Sequence, residues 1–323
     1  MVATNVTTTC VNQKEAGIGA GNADLGAILG VAIDLSKGCV VDVPRNQSCC
    51  GQPAYNNGDE ANSVAIARQV IQAFENFDYV VLPSGSCAAM IIDHYPRLFR
   101  NELGWLARSR DLSAKTWELT RFLVEVMGLD SVDAHYEGLC AYHDSCSGLR
   151  ELCIRKQPRK LLSSVKDLTI VELQDRDVCC GFGGTFSVKY PEISERMVSN
   201  KVADLELTEA DTLSGGDLGC LLNIAGRLRR QGKSVKVLHV AEILAGMGDG
   251  GPAAQGEPSP RSEWGRMAAG QGRFHPLPPS LSIRVRCPSA LRMEGERGGG
   301  GFARVYGGER VVLEDGDDKR LRM

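Results

Sequence analysis

Val178-Cys179-Cys180-Gly181-Phe182-Gly183-Gly184 sets two cysteines side by side and follows them with glycine; Ser48-Cys49-Cys50-Gly51-Gln52-Pro53 does the same 130 residues earlier. Adjacent cysteines point in different directions, cannot readily bridge each other, and make poor core filler. Outward from the pairs, the neighbours repeat too. The β-rich runs Cys39–Pro44 and Thr169–Gln174 precede them at the same offset, and Asp78–Cys87 and Asp211–Cys220 follow at an offset of 133. Cys10 and Cys146 stand upstream, 136 residues apart. A slowly drifting offset is what loop insertions produce in a duplicated domain.

Each copy predicts an α/β unit. Val64, Ala67, Val70, Ile71 and Phe74 mark one face of a helix over 61–77, and the run from Asp78 to Pro83 reads as a short buried strand. In the second copy Asp217 is placed as an N-cap, with Leu218, Leu221, Leu222, Ala225 and Leu228 as the buried stripe and Gly232 just past the end. Strands alternating with such helices predict parallel sheets with crossover helices. A helical pattern from Lys115 to Met127 lies between the halves. The expected domains are 1–130, 131–245 and a tail, 246–323. The tail holds 16 of the 37 glycines and 7 of the 13 prolines, too little apolar surface to offset its ordering entropy. It is expected to be mostly disordered, with a brief strand at Ala303–Val312.

A chain of 323 residues with 43% hydrophobic content can bury a sizeable core, and 37 basic against 40 acidic residues give no electrostatic case for nucleic acid. The start, MVATNVTTTC, has no secretory n- and h-region. The apolar stretch around Leu25–Leu35 is too short to span a bilayer. These features predict a cytoplasmic protein without a membrane span, so twelve cysteines point to metal or redox chemistry rather than to disulfides.

Eight of the twelve occupy repeated positions: Cys10, Cys49, Cys50 and Cys87, then Cys146, Cys179, Cys180 and Cys220. Four thiolates select zinc or an iron–sulfur cluster. Zinc usually takes C-x₂₋₄-C pairs, whereas a contiguous pair suits two irons of an extended cluster. The following glycine permits positive φ and lets backbone N–H groups approach. Cys87 and Cys220 each follow a strand and open a helix, where the positive helix end favours a thiolate. Cys39, Cys140 and Cys153 read as small buried hydrophobes, and Cys287 as an unpaired surface thiol. His143 and Asp144 could tune the cluster or donate protons, though a lone histidine at a strand end is more often a structural hydrogen-bonder. Gly183-Gly184 could mimic a phosphate loop, but no Walker or dinucleotide pattern accompanies it.

CCGQPAYNNGD, LPSGSCAAMI, YHDSC, CCGFGGTFSVKYPEIS and GDLGCLLNIAGRLRRQGK together resemble the cysteine-rich CCG-domain proteins, in particular their lactate-utilisation branch. The CCG-containing subunit of heterodisulfide reductase and the iron–sulfur subunit of glycolate oxidase are relatives. The resemblance covers roughly Cys39 to Ala245 and fits the first 38 residues poorly. It implies an electron-transferring iron–sulfur subunit of an oxidoreductase that converts L-lactate, a small 2-hydroxy acid, to pyruvate. The implied partners are a ferredoxin-like iron–sulfur subunit and a further lactate-utilisation subunit. The heterodisulfide reductase relative ends each set with C-x-x-C; here the positions read Cys87-Ala-Ala-Met90 and Cys220-Leu-Leu-Asn223. That leaves four ligands per half, enough for one 4Fe-4S cluster in each, with the first set the weaker because of the sequence around Cys10. No catalytic residue is assigned. The alternatives are a zinc-stabilised interaction module and a disulfide reductase, the latter weakened by the missing fifth cysteines.

Overall fold

The computed structural model describes residues 48–248, with the backbone of four further strands at 40–42, 283–286, 305–306 and 309–310. Cys10, Cys39, Cys287 and most of the tail lie outside the described residues.

The second half is the clearer copy. Strands β4 (His135–His143), β5 (Lys166–Val171), β6 (Thr212–Gly215) and β7 (Lys236–His239) form one sheet in the order β5-β4-β6-β7. All three pairings are parallel. Crossovers between parallel strands need helices, and Lys156–Leu162, Pro191–Glu206 and Leu218–Arg230 supply them.

The first half uses β1 (Val40–Asp42), β2 (Tyr79–Leu82) and β3 (Thr116–Glu118), with β8 (Ile283–Arg286) from the tail, in the order β1-β8-β2-β3. β2 and β3 are parallel, and β8 runs antiparallel to both β1 and β2. Laid on the other sheet, β1, β2 and β3 match β5, β6 and β7. The tail strand therefore takes the slot that β4 fills in the second half. Its alternating Ile-Arg-Val-Arg suits a strand. The strand expected within Ala303–Val312 is present as the antiparallel pair Val305–Tyr306 and Glu309–Arg310.

Three apolar clusters hold the molecule together. One, around Ile71, Phe74, Leu82, Met90 and Tyr95, belongs to the first half, and one, around Val198, Leu213, Leu221 and Ile224, to the second. The third joins Val81, Leu119 and Phe122 to Tyr136, Tyr142, Leu238 and Val240, so the two sheets share a buried layer.

The helix expected over 61–77 is Glu60–Phe74, capped by Asp59 accepting from the Asn62 N–H. Other expectations need correction. The pattern from Lys115 to Met127 is not one helix: Thr116–Glu118 pairs with Val80–Leu82 as β3 before helical turns at Leu119–Val126. The β-branched Thr116 and the aromatic Trp117 suit the edge of β2 better than a helical turn. In helix Leu218–Arg230 the buried residues are Cys220, Leu221, Ile224 and Leu228, while Leu222 is exposed. The stripe is rotated so that Cys220 faces inward. Cys153 is exposed at φ +56, a turn thiol rather than core filler. Cys140 is buried as expected.

Candidate metal centre

In the second half four elements converge at the carboxyl ends of the strands. β4 delivers Tyr142-His143-Asp144, and Cys146 opens the short helix Cys146–Arg150. Cys179 and Cys180 sit in the loop after β5, and Cys220 lies in the first turn after β6. Gly181 has φ +82, and a Cβ there would meet Ser194 O at 2.8 Å. Only glycine fits at that bend.

The four sulfurs form a contact chain: Cys146 with Cys179, Cys179 with Cys180, and Cys180 with Cys220. Cys180 and Cys220 are buried. Backbone donors face the sulfurs, Gly181 N–H at 3.4 Å from Cys179 and Phe182 N–H at 3.5 Å from Cys180. Contact from Cys146 and Cys180 holds the Cys179 thiol far below its ordinary range. Cys180 is pushed up by Cys179, Cys220 and burial, and Cys146 by Cys179 and burial. At Cys220 contact with Cys180 is the largest influence and pulls downward, but burial together with the charges of Asp217 and Cys179 raises the thiol overall. One thiol is pulled down and three are pushed up, so ionising all four together is opposed by mutual repulsion. A bound cation or cluster relieves that repulsion, which fits the donor set to a metal.

His143 joins them. A ring nitrogen of His143 and the sulfurs of Cys180 and Cys220 all lie within 4.8 Å of one another. Asp144 does not reach the site as a proton donor: Arg159 Nη1 and Nη2 donate to its carboxylate at 2.9 and 2.7 Å, and its side chain is fully buried.

The first half repeats the arrangement with Cys49, Cys50 and Cys87. Gly51 has φ +83, and its N–H lies 3.5 Å from the Cys49 sulfur. Contact from Cys50 lowers Cys49 to about 6, while Cys50 is raised by Cys49, Cys87 and burial. The structure brings these three together; Cys10 lies outside the described residues. β8 runs antiparallel to β2, so its Arg286 end points away from this site.

The matching family is the cysteine-rich CCG domain, over residues 8–92 and again over 140–225. The chain belongs to this family. Similar relatives include proteins called Lactate utilization protein A. The one from Oceanobacillus iheyensis is 48% identical over 216 residues, 67% of this chain and 88% of the relative. That from Lysinibacillus sphaericus is 50% identical over 206 residues, covering 64% and 90%. That from Geobacillus kaustophilus is 50% identical over 207 residues, covering 64% and 86%. Both matched segments end before residue 246.

Two bracing residues escape any spacing rule. Tyr95 Oη donates to the Cys50 carbonyl at 2.8 Å, and Asn223 Nδ2 donates to the Cys180 carbonyl at 3.0 Å. Unrelated side chains thus hold the second cysteine of each pair by the same group. Asn223 replaces a possible ligand with a strut. Asp217 is legible as an N-cap position, but its side chain caps nothing in its own helix. It accepts instead from Ser84 Oγ at 3.2 Å and from the Ser86 N–H at 3.0 Å, across the junction of the halves. Among the described residues no helix is long and apolar enough to cross a membrane.

Proposed function

We propose that this chain is an iron–sulfur electron-transfer subunit of an oxidoreductase complex that oxidises L-lactate to pyruvate in the cytoplasm. The observation that carries the reading is the chain of contacts that links Cys146, Cys179, Cys180 and Cys220 in a partly buried group, repeated by Cys49, Cys50 and Cys87. The relatives' names, which speak of lactate utilization, support the choice of substrate. Cys10 is proposed as the fourth ligand of the first set. A four-iron cluster, when bound, takes up and releases one electron at a time.

Lactate oxidation releases two electrons and two protons for each pyruvate formed. Two clusters in one chain suit passing such a pair onward in single steps. The chain's residues bind, orient and shield. The thiolates anchor iron, and the Gly51, Gly181 and Phe182 N–H groups favour negative charge on sulfur. Asn223 and Tyr95 fix the loops, and Arg159 fixes the His143–Cys146 segment through Asp144. Hydride or proton abstraction from lactate is assigned to a partner, with a ferredoxin-like subunit and a further lactate-utilisation subunit completing the complex. The disulfide-reductase alternative loses ground, since Asn223 is engaged as a strut and Met90 is fully buried.

Anaerobic reconstitution tests the reading. Iron and acid-labile sulfide are expected in equal amounts, up to about four of each per half, with brown absorbance bleached by dithionite. Lactate-dependent dye reduction should appear only with the partner subunits present. Stoichiometric zinc without iron or sulfide would replace this reading with that of a zinc-stabilised module.

A further inference from the structure

Two buried histidines end strands of the same sheet, and only one has its hydrogen bonds. His239, closing β7, has Nε2 3.0 Å from the Pro83 carbonyl and Nδ1 accepting from the Ala241 N–H at 3.1 Å. His143, closing β4, is 1% exposed, and among the described residues neither ring nitrogen has a hydrogen-bond partner. The two are separated by one strand: His143 lies opposite Gly215, and Gly215 opposite His239.

A buried imidazole with both nitrogens unpaired is unfavourable, because each was solvated in the unfolded chain. The neighbouring polar groups are engaged elsewhere. Lys201 Nζ donates to the Asp175 carbonyl, and Asp144 is held by Arg159. What the ring does face is sulfur, with Cys180 and Cys220 inside the same 4.8 Å set. Cysteine and neutral histidine are the donors that bind iron in mixed-ligand clusters.

We propose that His143 is a ligand of the metal centre in the second half, one imidazole nitrogen donating its lone pair to an iron beside Cys180 and Cys220. The inference rests on the iron–sulfur reading above. It gives that centre four thiolates and one imidazole, so one iron carries two protein ligands. Imidazole adds no negative charge, so a thiolate in its place makes the centre more negative and harder to reduce. By the offset of 136 the matching position in the first half is Thr7, so the imidazole distinguishes the two centres.

The test uses the full chain carrying isotopically labelled histidine, reconstituted anaerobically with iron and sulfide and examined by pulsed EPR after reduction. A strong nitrogen coupling that changes with the histidine isotope and disappears in His143→Ala is expected. His143→Cys should retain its iron and shift one of two reduction steps to lower potential, which loss of a merely structural histidine would not produce. Absence of isotope-sensitive coupling in the unsubstituted protein overturns the proposal, as does coupling that survives in His143→Ala. Iron and sulfide assays on the same samples judge the cluster itself. If zinc alone binds, the cluster reading falls, and cobalt substitution decides the histidine. Paramagnetically shifted imidazole resonances lost in His143→Ala uphold ligation; their absence from the unsubstituted protein overturns it.

Discussion

Cys179 and Cys180 are pulled in opposite directions although they are neighbours: contact with Cys146 and Cys180 lowers the first thiol, while contact with Cys179 and Cys220 and burial raise the second. A metal binds thiolates, so it must displace any proton on either sulfur, and once bound it makes both sulfurs ligands that cannot be spared. Cys180→Ala is therefore expected to lower total iron by roughly half, one of two clusters, while Cys153→Ala, exposed and remote from the repeat, leaves it unchanged. Iron and sulfide assays check both. A second residue-scale prediction concerns Arg159. Its loss leaves the fully buried Asp144 carboxylate unpaired, so Arg159→Met should cost about 3–5 kcal/mol in a urea melt. The eight cysteines and the glycines after them are legible in the sequence because repetition and chemistry both mark them. Tyr95 and Asn223 are not, since hydrogen-bonding a cysteine carbonyl requires no residue type or spacing. His143 stands out beside Cys146, but nothing in the sequence shows that its ring lacks partners.

Among the elements, the parallel sheets follow from the alternation of apolar runs and helical patterns. Thr116–Glu118 reads as helix because three residues show no periodicity of their own, and their pairing with β2 is a tertiary effect. β8 is hidden for a similar reason: in a Gly- and Pro-rich tail, Ile-Arg-Val-Arg has little to announce it except an open slot beside β2. That slot bears on truncation. Removing residues after Gly248 strips β1 of β8 and leaves β2 with a bare edge, which exposes backbone groups. Amide exchange in β2 (Tyr79–Leu82) should accelerate while that in β6 (Thr212–Gly215) does not. Equal protection in the full and shortened chains would show that the first sheet stands without the tail. Where the halves cross, a Cβ on Gly85 would sit 3.0 Å from both Gly148 Cα and Ser145 Oγ. Backbone cannot easily retreat there, so Gly85→Ala is expected to destabilise the protein by about 1–3 kcal/mol, measured by thermal unfolding.

At the scale of the whole molecule, the duplication does more than double the site. Ser84 and Asp217 are equivalent positions, 133 residues apart like Cys87 and Cys220, and they touch each other. Ser84 Oγ also accepts from the Cys87 N–H at 3.3 Å, so a short polar path runs from one cysteine set through Asp217 toward the other. Asp217 is buried, and its charge bears on Cys146 and Cys220. A fixed anion between two clusters disfavours the extra electron on both. Asp217→Asn keeps an oxygen able to accept from the Ser86 N–H but removes the charge. Both reduction potentials should then rise. At an effective dielectric near 20 the change is about 1–2 kcal/mol, or roughly 40–90 mV for a one-electron couple. Ser84→Ala, which deletes the contact and leaves the carboxylate, should move them much less. A redox titration of the two variants against the unsubstituted protein separates the cases. If only one potential shifts in Asp217→Asn, the carboxylate belongs to one site alone and the halves are not coupled through it.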